Sequence, residues 1–443
     1  MRCLLVATML LNKITRWNAR HFQGYSQRLY RVLAIESSCD DSCVALLDKF
    51  LTSAPPKVID HVKLTLESAH IGGIMPTAAH DFHNESIAQL ISDFLKKHRI
   101  NSECPPDLIC CTQGPGMVGS LTSSLQVAKG ISLAWNVPLI GVHHMLGHIL
   151  VSQLPKQEQP NLRPPNYPFL SLLCSGGHTM LVLSKSISNH EIIINVCDIA
   201  AGDSIDKCAR ELGLLGNLLG KELEKYVDKI PQSIKDEFNK INTNTNDNEF
   251  KFLLKLPLKG PKNPRIPDSI EFSFASFLSR IQSYLSKNHD VDERKTQFLA
   301  CKVQNVVFDH IIDRVNVALK KHGNNKDIYN LADGKFNGVT DFICSGGVAA
   351  NKVLRKKLAN NLISQETLNT NFTFHFPDLA LCTDNAVMIG VAGIEIFEKL
   401  RLKSDLRITS IRKWPLNELL SKTPWVKVSD EEYAAITRSK YNK

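Results

Sequence analysis

Two stretches of the chain share one design. RVLAIESSCDDSCVALLD (31–48) and YPFLSLLCSGGHTMLVLS (167–184) each place a polar or glycine-rich turn between two apolar, strand-forming runs. Such runs read as hairpins buried on both faces. A third unit, VTDFICSGGVAANKVLRKKLAN (339–360), reads as strand, glycine turn and helix. CSGG occurs at 174–177 and again at 344–347. Apolar spacing near 3.6 predicts helices at 83–98, 119–135, 142–153, 204–214, 296–321 and 383–400. Asp384 stands at the start of the last of these, a good N-cap position. Strands alternating with helices make an α/β fold. The repeated design points to two similar halves, each offering a strand and turn to a shared cleft. Chance recurrence of a four-residue string is the alternative.

With 443 residues the chain has room for two domains and a leader. Residues 1–31 carry Arg2, Lys13, Arg16, Arg20, Arg28 and Arg31 among apolar side chains, and no acid. That composition reads as a mitochondrial transit peptide rather than a secretory signal, because the basic residues continue past the apolar CLLVATMLL. The cysteines are scattered without a CxxC, and several lie in apolar runs, which suits free thiols in a reducing compartment. No apolar run reaches the length of a membrane span. INTNTNDNE (241–249) and KHGNNKDIYNLADGKFNG (321–338) read as surface loops, and the proline-rich 154–168 as a lobe boundary.

GVHHMLGHIL (141–150) holds three histidines. His144 and His148 are four apart and on a helix could grip one metal ion from adjacent turns. His143, rotated by about 100°, faces elsewhere. The alternative is an apolar helix with core histidines. Zincin peptidases use HExxH, whose glutamate activates water. Here that slot is Met145, so a metal grip would remain without a general base. SGGHT (175–179), SGGVAAN (345–351) and QGPGMVGSLTSSLQVAKG (113–130) could receive an anion on backbone N–H groups, or be plain tight turns. The acids of the Ser37–Asp41 turn suit a metal-bound or hydroxyl-rich ligand instead. Asp206 and Asp384 are lone carboxylates for which helix capping is the plain reading. Basic residues gather at Lys352, Arg355, Lys356 and Lys357, and at Arg401, Lys403, Arg407, Arg412 and Lys413. They form either a solvated face or contacts to a nucleic-acid backbone, in keeping with a net charge of +9.

Taken together, AIESSCDDS, HIGGIMPTAAHDFH, GPGMVGSL, HMLGH, CSGGHT, GDSIDKCARELG, FSFASF, SGGVAAN, TDNAVMIG and KWPL resemble, in order, the motifs of the tRNA threonylcarbamoyladenosine synthase family, once misnamed O-sialoglycoprotein endopeptidase. The similarity runs from about 32 to 416, and the leader suits a mitochondrial branch. The resemblance implies the two-lobed fold of actin, hexokinase and the heat-shock ATPases, with duplicated lobes around a nucleotide cleft. It divides the chain into a leader (1–31), an N-terminal lobe (32–141), a C-terminal lobe (142–416) with insertions at about 231–268 and 321–338, and a tail (417–443).

It also implies transfer of threonylcarbamoyl from threonylcarbamoyl-AMP, made by a separate synthase, to N6 of adenosine 37 in tRNAs reading ANN codons. The implied ligands of one divalent cation, iron or zinc, are His144, His148 and Asp384. The implied substrate contacts are Leu173, Cys174, Ser175, Gly176 and Gly177, with Asp206 and Asn351 toward the nucleotide; Gly220 is a poor match, since the usual PGGP loop is replaced by GLLGNLLGK. Leu146, Thr77 and Asp81 also depart from the pattern, as does FSFASFL, which lacks a lysine. These departures suit a branch that works without helper subunits, as a homodimer. A metallopeptidase and a catalytically silent nucleotide-binding module are the rival functions. Met145 argues against the first and the intact ligand set against the second.

Overall fold

The computed structural model describes residues 29–437 apart from 51–52, 70–71, 157, 259–269, 323–333 and 364–371. Most of the expected leader lies outside the described residues. Its last two positions are already in the first strand, where Tyr30 is buried and Arg31 pairs with Asp48 at 2.7 Å.

The first sheet uses β1 (Tyr30–Glu36), β2 (Asp41–Lys49), β3 (Lys57–Thr65), β4 (Leu108–Gly114) and β5 (Leu139–His143), with α1 (Pro76–Lys97) and α2 (Val118–Trp135) as crossovers. Its order is β3-β2-β1-β4-β5, antiparallel among the first three strands and parallel among β1, β4 and β5. After α3 (His144–Leu150) the second sheet takes β6 (Phe169–Cys174), β7 (Thr179–Ser184), β8 (His190–Val196), β9 (Glu271–Phe272), β10 (Asp341–Ser345) and β11 (Thr373–His375). Its order β11-β10-β6-β7-β8-β9 repeats the first pattern: an antiparallel β6-β7-β8 meander, then β10 and β11 parallel to β6. The intervening helices are α4 (Ala201–Glu211), α5 (Leu219–Lys229), α6 (Gln232–Lys240), α7 (Ala275–Leu285), α8 (Glu293–His322) and α9 (Lys352–Ile363); α10 (Ala386–Glu395) follows β11. This is the two-lobed α/β architecture expected from the repeated hairpins.

Alternate residues of each strand face opposite sides. Leu33, Ile35, Val44 and Leu46 meet α1 and α2, whereas Val32, Ala34, Ala45 and Leu47 meet α3 and α10. In the second sheet Leu173, Val182 and Ile343 face α3 and α10, while Leu170, Leu172 and Leu181 face the outer helices. α3 and α10 therefore form a middle layer between two sheets. Their sequences, HMLGHIL and AVMIGVAGIE, are apolar nearly all round because a helix covered on both sides has no solvent face.

Three expectations change. The two CSGG turns do not mark the two halves: β6 and β10 are parallel neighbours, with Leu173 opposite Ser345, so both turns leave the same edge of one sheet. The hairpins at 31–48 and 167–184 are what the halves share. The division at 141/142 is not a clean cut either, since α10 lies against the first sheet, and β12 (Leu402–Ser404) sits beside β5, where Ser404 Oγ accepts from Gly141 N–H at 2.8 Å. β12 pairs with β13 (Trp425–Lys427), and the expected tail brings Leu419 and Val428 into the core between the sheets. Finally, the 231–268 insertion is partly core. Phe238, Phe250 and Phe252 pack around Phe298, with centroids 5.5, 3.9 and 6.2 Å away, and anchor the asparagine-rich loop at both ends. Its residues 259–268, and 323–333 of the other insertion, lie outside the described residues.

Candidate metal centre

The histidine helix begins at His144, not at 142, because Val142 and His143 still belong to β5. His143 ends the strand and caps the helix: its Nδ1 accepts from Met145 N–H at 3.1 Å, and its Nε2–H donates to the Trp414 carbonyl at 2.8 Å. Burial pushes its pKa down to about 3, which keeps the ring neutral and able to do both. One turn separates the His144 and His148 rings, whose centroids are 4.8 Å apart. Leu146 between them is fully enclosed in the apolar core.

Asp384 is not the N-cap of α10. That role belongs to Asn385, whose Oδ1 accepts from Met388 N–H at 2.9 Å while its amide donates to Leu381 and Thr383 carbonyls. The Asp384 carboxylate is thus left to face α3. Its Oδ1 lies 3.1 Å from His148 Nε2 and 3.5 Å from His144 Nε2. The three donor atoms lie within 4.8 Å of one another. Two imidazoles and one carboxylate make a donor set suited to zinc or ferrous iron, so these residues fit such an ion.

Glu36, wholly buried at the end of β1, supports this cluster from behind. Its Oε1 accepts from Ser38 N–H at 2.6 Å, and its Oε2 accepts from the Thr112 hydroxyl. Oε2 stands 3.4 Å from His144 Nδ1, and Ser38 Oγ stands 3.1 Å from the same nitrogen. His144 thereby turns Nδ1 to these partners and Nε2 to Asp384, the orientation that metal-ligating histidines commonly receive. Burial disfavours the charged imidazole, but Asp384 and Glu36 outweigh it and push the His144 pKa up to about 9. Burial likewise opposes ionisation of Asp384, yet His144 and His148 hold it well below the usual carboxylate range. Without an ion, then, a proton on His144 balances the two acids. His148 Nδ1 is buried and has no hydrogen-bond partner among the described residues.

The surrounding turns shape the approach to this cluster. Leu173 and Cys174 are buried at the end of β6, so only their main chain can face a ligand, whereas Gly176 and Gly177 are exposed with open space above them. Gly346, at φ +103°, lies so close that a Cβ would sit 2.3 Å from the Cys174 carbonyl oxygen; only glycine lets the two turns meet. His178 follows the first turn, and burial, with His144 and His148 nearby, pushes its pKa down to about 4. Lys63 of β3 bridges in from the first sheet: its ammonium donates to Asp41 Oδ2 at 2.8 Å, Thr383 Oγ1 at 3.2 Å and the Asp384 carbonyl at 3.1 Å. Burial, Asp41 and Asp384 raise the neighbouring Asp40 pKa to about 6.

Asp206 lies inside α4, not at its start, and caps the next helix instead, accepting from Gly220 N–H at 2.6 Å. Burial raises its pKa to about 6. The structure thus brings Asp206 and the poorly matched Gly220 into direct contact. Asn351 caps α9 by accepting from Val353 N–H at 2.9 Å, and its amide donates to Gln304 at 3.2 Å. Glu36 and Lys63 are supporting residues to which no motif of the sequence gives a role, whereas Ser38 belongs to the Ser37–Asp41 turn expected to serve a metal-bound ligand. A lone glutamate directly after the apolar VLAI run is the one local signal for Glu36.

The family profile for tRNA N6-adenosine threonylcarbamoyltransferase matches residues 57–391. The chain is 33% identical over 431 residues to the mitochondrial tRNA N6-adenosine threonylcarbamoyltransferase of Schizosaccharomyces pombe, covering 95% of each chain. It is also 33% identical over 368 residues to the corresponding enzyme of Kosmotoga olearia, covering 82% of this chain and 93% of that one. A solved structure of full-length HypF superposes at a TM-score of 0.44 with 14% identity over 84% of this chain and 56% of that one, too distant to inform function. The chain belongs to the tRNA N6-adenosine threonylcarbamoyltransferase family and is a transferase.

Proposed function

We propose that the chain transfers threonylcarbamoyl from threonylcarbamoyl-AMP to N6 of adenosine 37 in mitochondrial tRNAs that read ANN codons. One observation carries the reading: His148 and Asp384, 236 residues apart in sequence, meet His144 around a single point. In the reaction, N6 forms a bond to the carbamoyl carbon, the bond from that carbon to the AMP phosphate oxygen breaks, AMP leaves with the electron pair, and the amine gives up one proton.

His144, His148 and Asp384 would hold one iron or zinc ion, which supplies a Lewis acid toward the donor's carbonyl. Glu36 and Ser38 fix the His144 ring, and Lys63 fixes the main chain of Asp384. The open Gly176–Gly177 turn lets the donor approach the backbone, with Leu173, Cys174 and Ser175 shaping that loop. Asp206, in contact with Gly220, suits the ribose hydroxyls of the nucleotide, and Asn351 is a further contact toward it. Positioning supplies much of the rate, because the adenylate is already activated. The acid-free leader and the mitochondrial relative support a place in the matrix, where a separate synthase provides the donor and the chain works as a homodimer.

Cells lacking this chain should lose threonylcarbamoyladenosine from mitochondrial tRNA and keep it in cytosolic tRNA. Nucleoside mass spectrometry of purified mitochondrial tRNA tests this; unchanged levels overturn the proposal.

A further inference from the structure

The structure sorts the two basic clusters of the sequence into engaged and free members. Arg401 lies 3.0 Å above the Tyr433 ring, Lys403 pairs with Glu432 at 2.6 Å, and Arg407 pairs with Asp405 at 2.9 Å. Arg355 donates to the Ala349 and Pro377 carbonyls, and Lys357 pairs with Asp309 at 2.6 Å. Lys352 and Lys356 are exposed, and neither ammonium has a partner among the described residues. In the other cluster, Arg412 and Lys413 remain, both exposed and both without a side-chain partner among the described residues.

The backbone beneath Arg412 and Lys413 is fixed to the metal centre. Ile411 N–H donates to the Gln113 carbonyl at 2.8 Å, Gly116 N–H donates to the Arg412 carbonyl at 3.3 Å, and the Trp414 carbonyl accepts from His143 at 2.8 Å. Gly114, at φ +156°, approaches so closely that a Cβ would lie 2.1 Å from the Ile411 carbonyl oxygen. On its other side the same turn touches Ser38, which accepts from Met117 N–H at 2.9 Å and reaches His144 Nδ1. A short chain of contacts thus runs from His144 through Ser38 and Gly116 to Arg412.

We propose that Arg412 and Lys413 are phosphate contacts for the RNA substrate, holding its backbone at the rim of the metal centre while the target base enters. This rests on the tRNA-modifying reading above. The main chain that carries the two cations is already locked to the histidine strand, so it needs no ordering on binding, and each neutralised phosphate releases counterions. Arg presents a fork that matches phosphate oxygens, and Lys adds a point charge.

The test is binding of a mitochondrial ANN-reading tRNA transcript by fluorescence anisotropy, at salt from about 50 to 200 mM, for the wild-type chain and the Arg412→Gln, Lys413→Gln double variant. Each phosphate contact contributes about 0.7–0.9 to the slope of log affinity against log salt. The double variant should lose about 1.4–1.8 of slope, so its affinity should fall about tenfold less across that salt range. The exchange Arg412→Lys, Lys413→Arg should restore the slope, and melting temperature checks that each variant is folded. A wild-type slope in the double variant, or weaker binding with an unchanged slope, overturns the proposal while leaving the transferase reading intact. Failure of the wild-type chain to bind tRNA overturns both.

Discussion

Replacing Glu36 with glutamine should weaken metal binding strongly at high pH and much less at neutral pH. The carboxylate accepts from Ser38 N–H and Thr112, and faces His144 Nδ1 at 3.4 Å. Its charge helps push the His144 pKa up to about 9. Below that pH an incoming ion must displace a proton from His144, so wild-type affinity should rise about tenfold per pH unit and level off near 9. At pH 7 it would stand about a hundredfold below its plateau. Glutamine removes the charge, which lowers the His144 pKa and relieves proton competition. The same change makes the imidazole a poorer ligand, an effect of about 10–100-fold, or about 1.4–2.7 kcal/mol. The two effects oppose each other at neutral pH, and only the second survives near pH 9. Zinc titration against a competing chelator at pH 7, 8 and 9 reads the difference. The wild-type to variant ratio should be largest at pH 9 and shrink toward pH 7. A ratio that is constant, or largest at pH 7, would refute the role given to Glu36.

Asp341 anchors the linker that leads into β6, pairing with Arg163 at 2.8 Å and His375 at 2.6 Å. Burial opposes its ionisation, but the hydrogen bonds from His375 and Arg163 win and hold its pKa at about 2. A carboxylate depressed on folding contributes stability above its unfolded pKa of about 4, here about 2.5 kcal/mol, and that contribution disappears as pH falls toward 2. Denaturant melts of Arg163→Met and the parent at pH 6 and pH 2.5 should therefore differ more at pH 6; equal differences would contradict the assignment. Asn385→Ala removes the α10 cap and should cost about 1 kcal/mol. Because the cap also fixes the turn that carries Asp384, bound zinc measured by elemental analysis should fall with it, and a full metal complement would show that the cap does not position the ligand.

The paired hairpins made the duplicated sheets legible, since near-continuous apolar strands between short turns have few other uses. Helix spacing found most crossovers to within a few residues. It begins α1 at 83 rather than Pro76 and gives no helix at α5, α6 or α7; at α3 and α10 its starts are off by only two or three residues, since both faces are covered and the apolar pattern marks no sharp start. The start of α3 at His144 and the transfer of the α10 cap from Asp384 to Asn385 both follow from that. CSGG misled because a short glycine turn recurs wherever strand ends crowd together, and β6 and β10 crowd at one edge. The i,i+4 histidines were visible as a possible metal grip, but Asp384 came only through resemblance, since nothing local ties it to α3. Glu36 and Lys63 went unassigned because their roles exist only when the first sheet closes on α3 and on the Thr383–Asp384 turn.

Reconstitution reads the transfer itself. Purified metal-loaded chain, tRNA transcript, an adenylate-forming synthase, threonine, bicarbonate and ATP are combined, and tRNA nucleosides are measured by mass spectrometry. The wild-type chain should form threonylcarbamoyladenosine, and His148→Ala and Asp384→Ala should form almost none while remaining folded. No product from the metal-loaded wild-type chain, or wild-type yield from Asp384→Ala, would contradict a transfer centred on His144, His148 and Asp384.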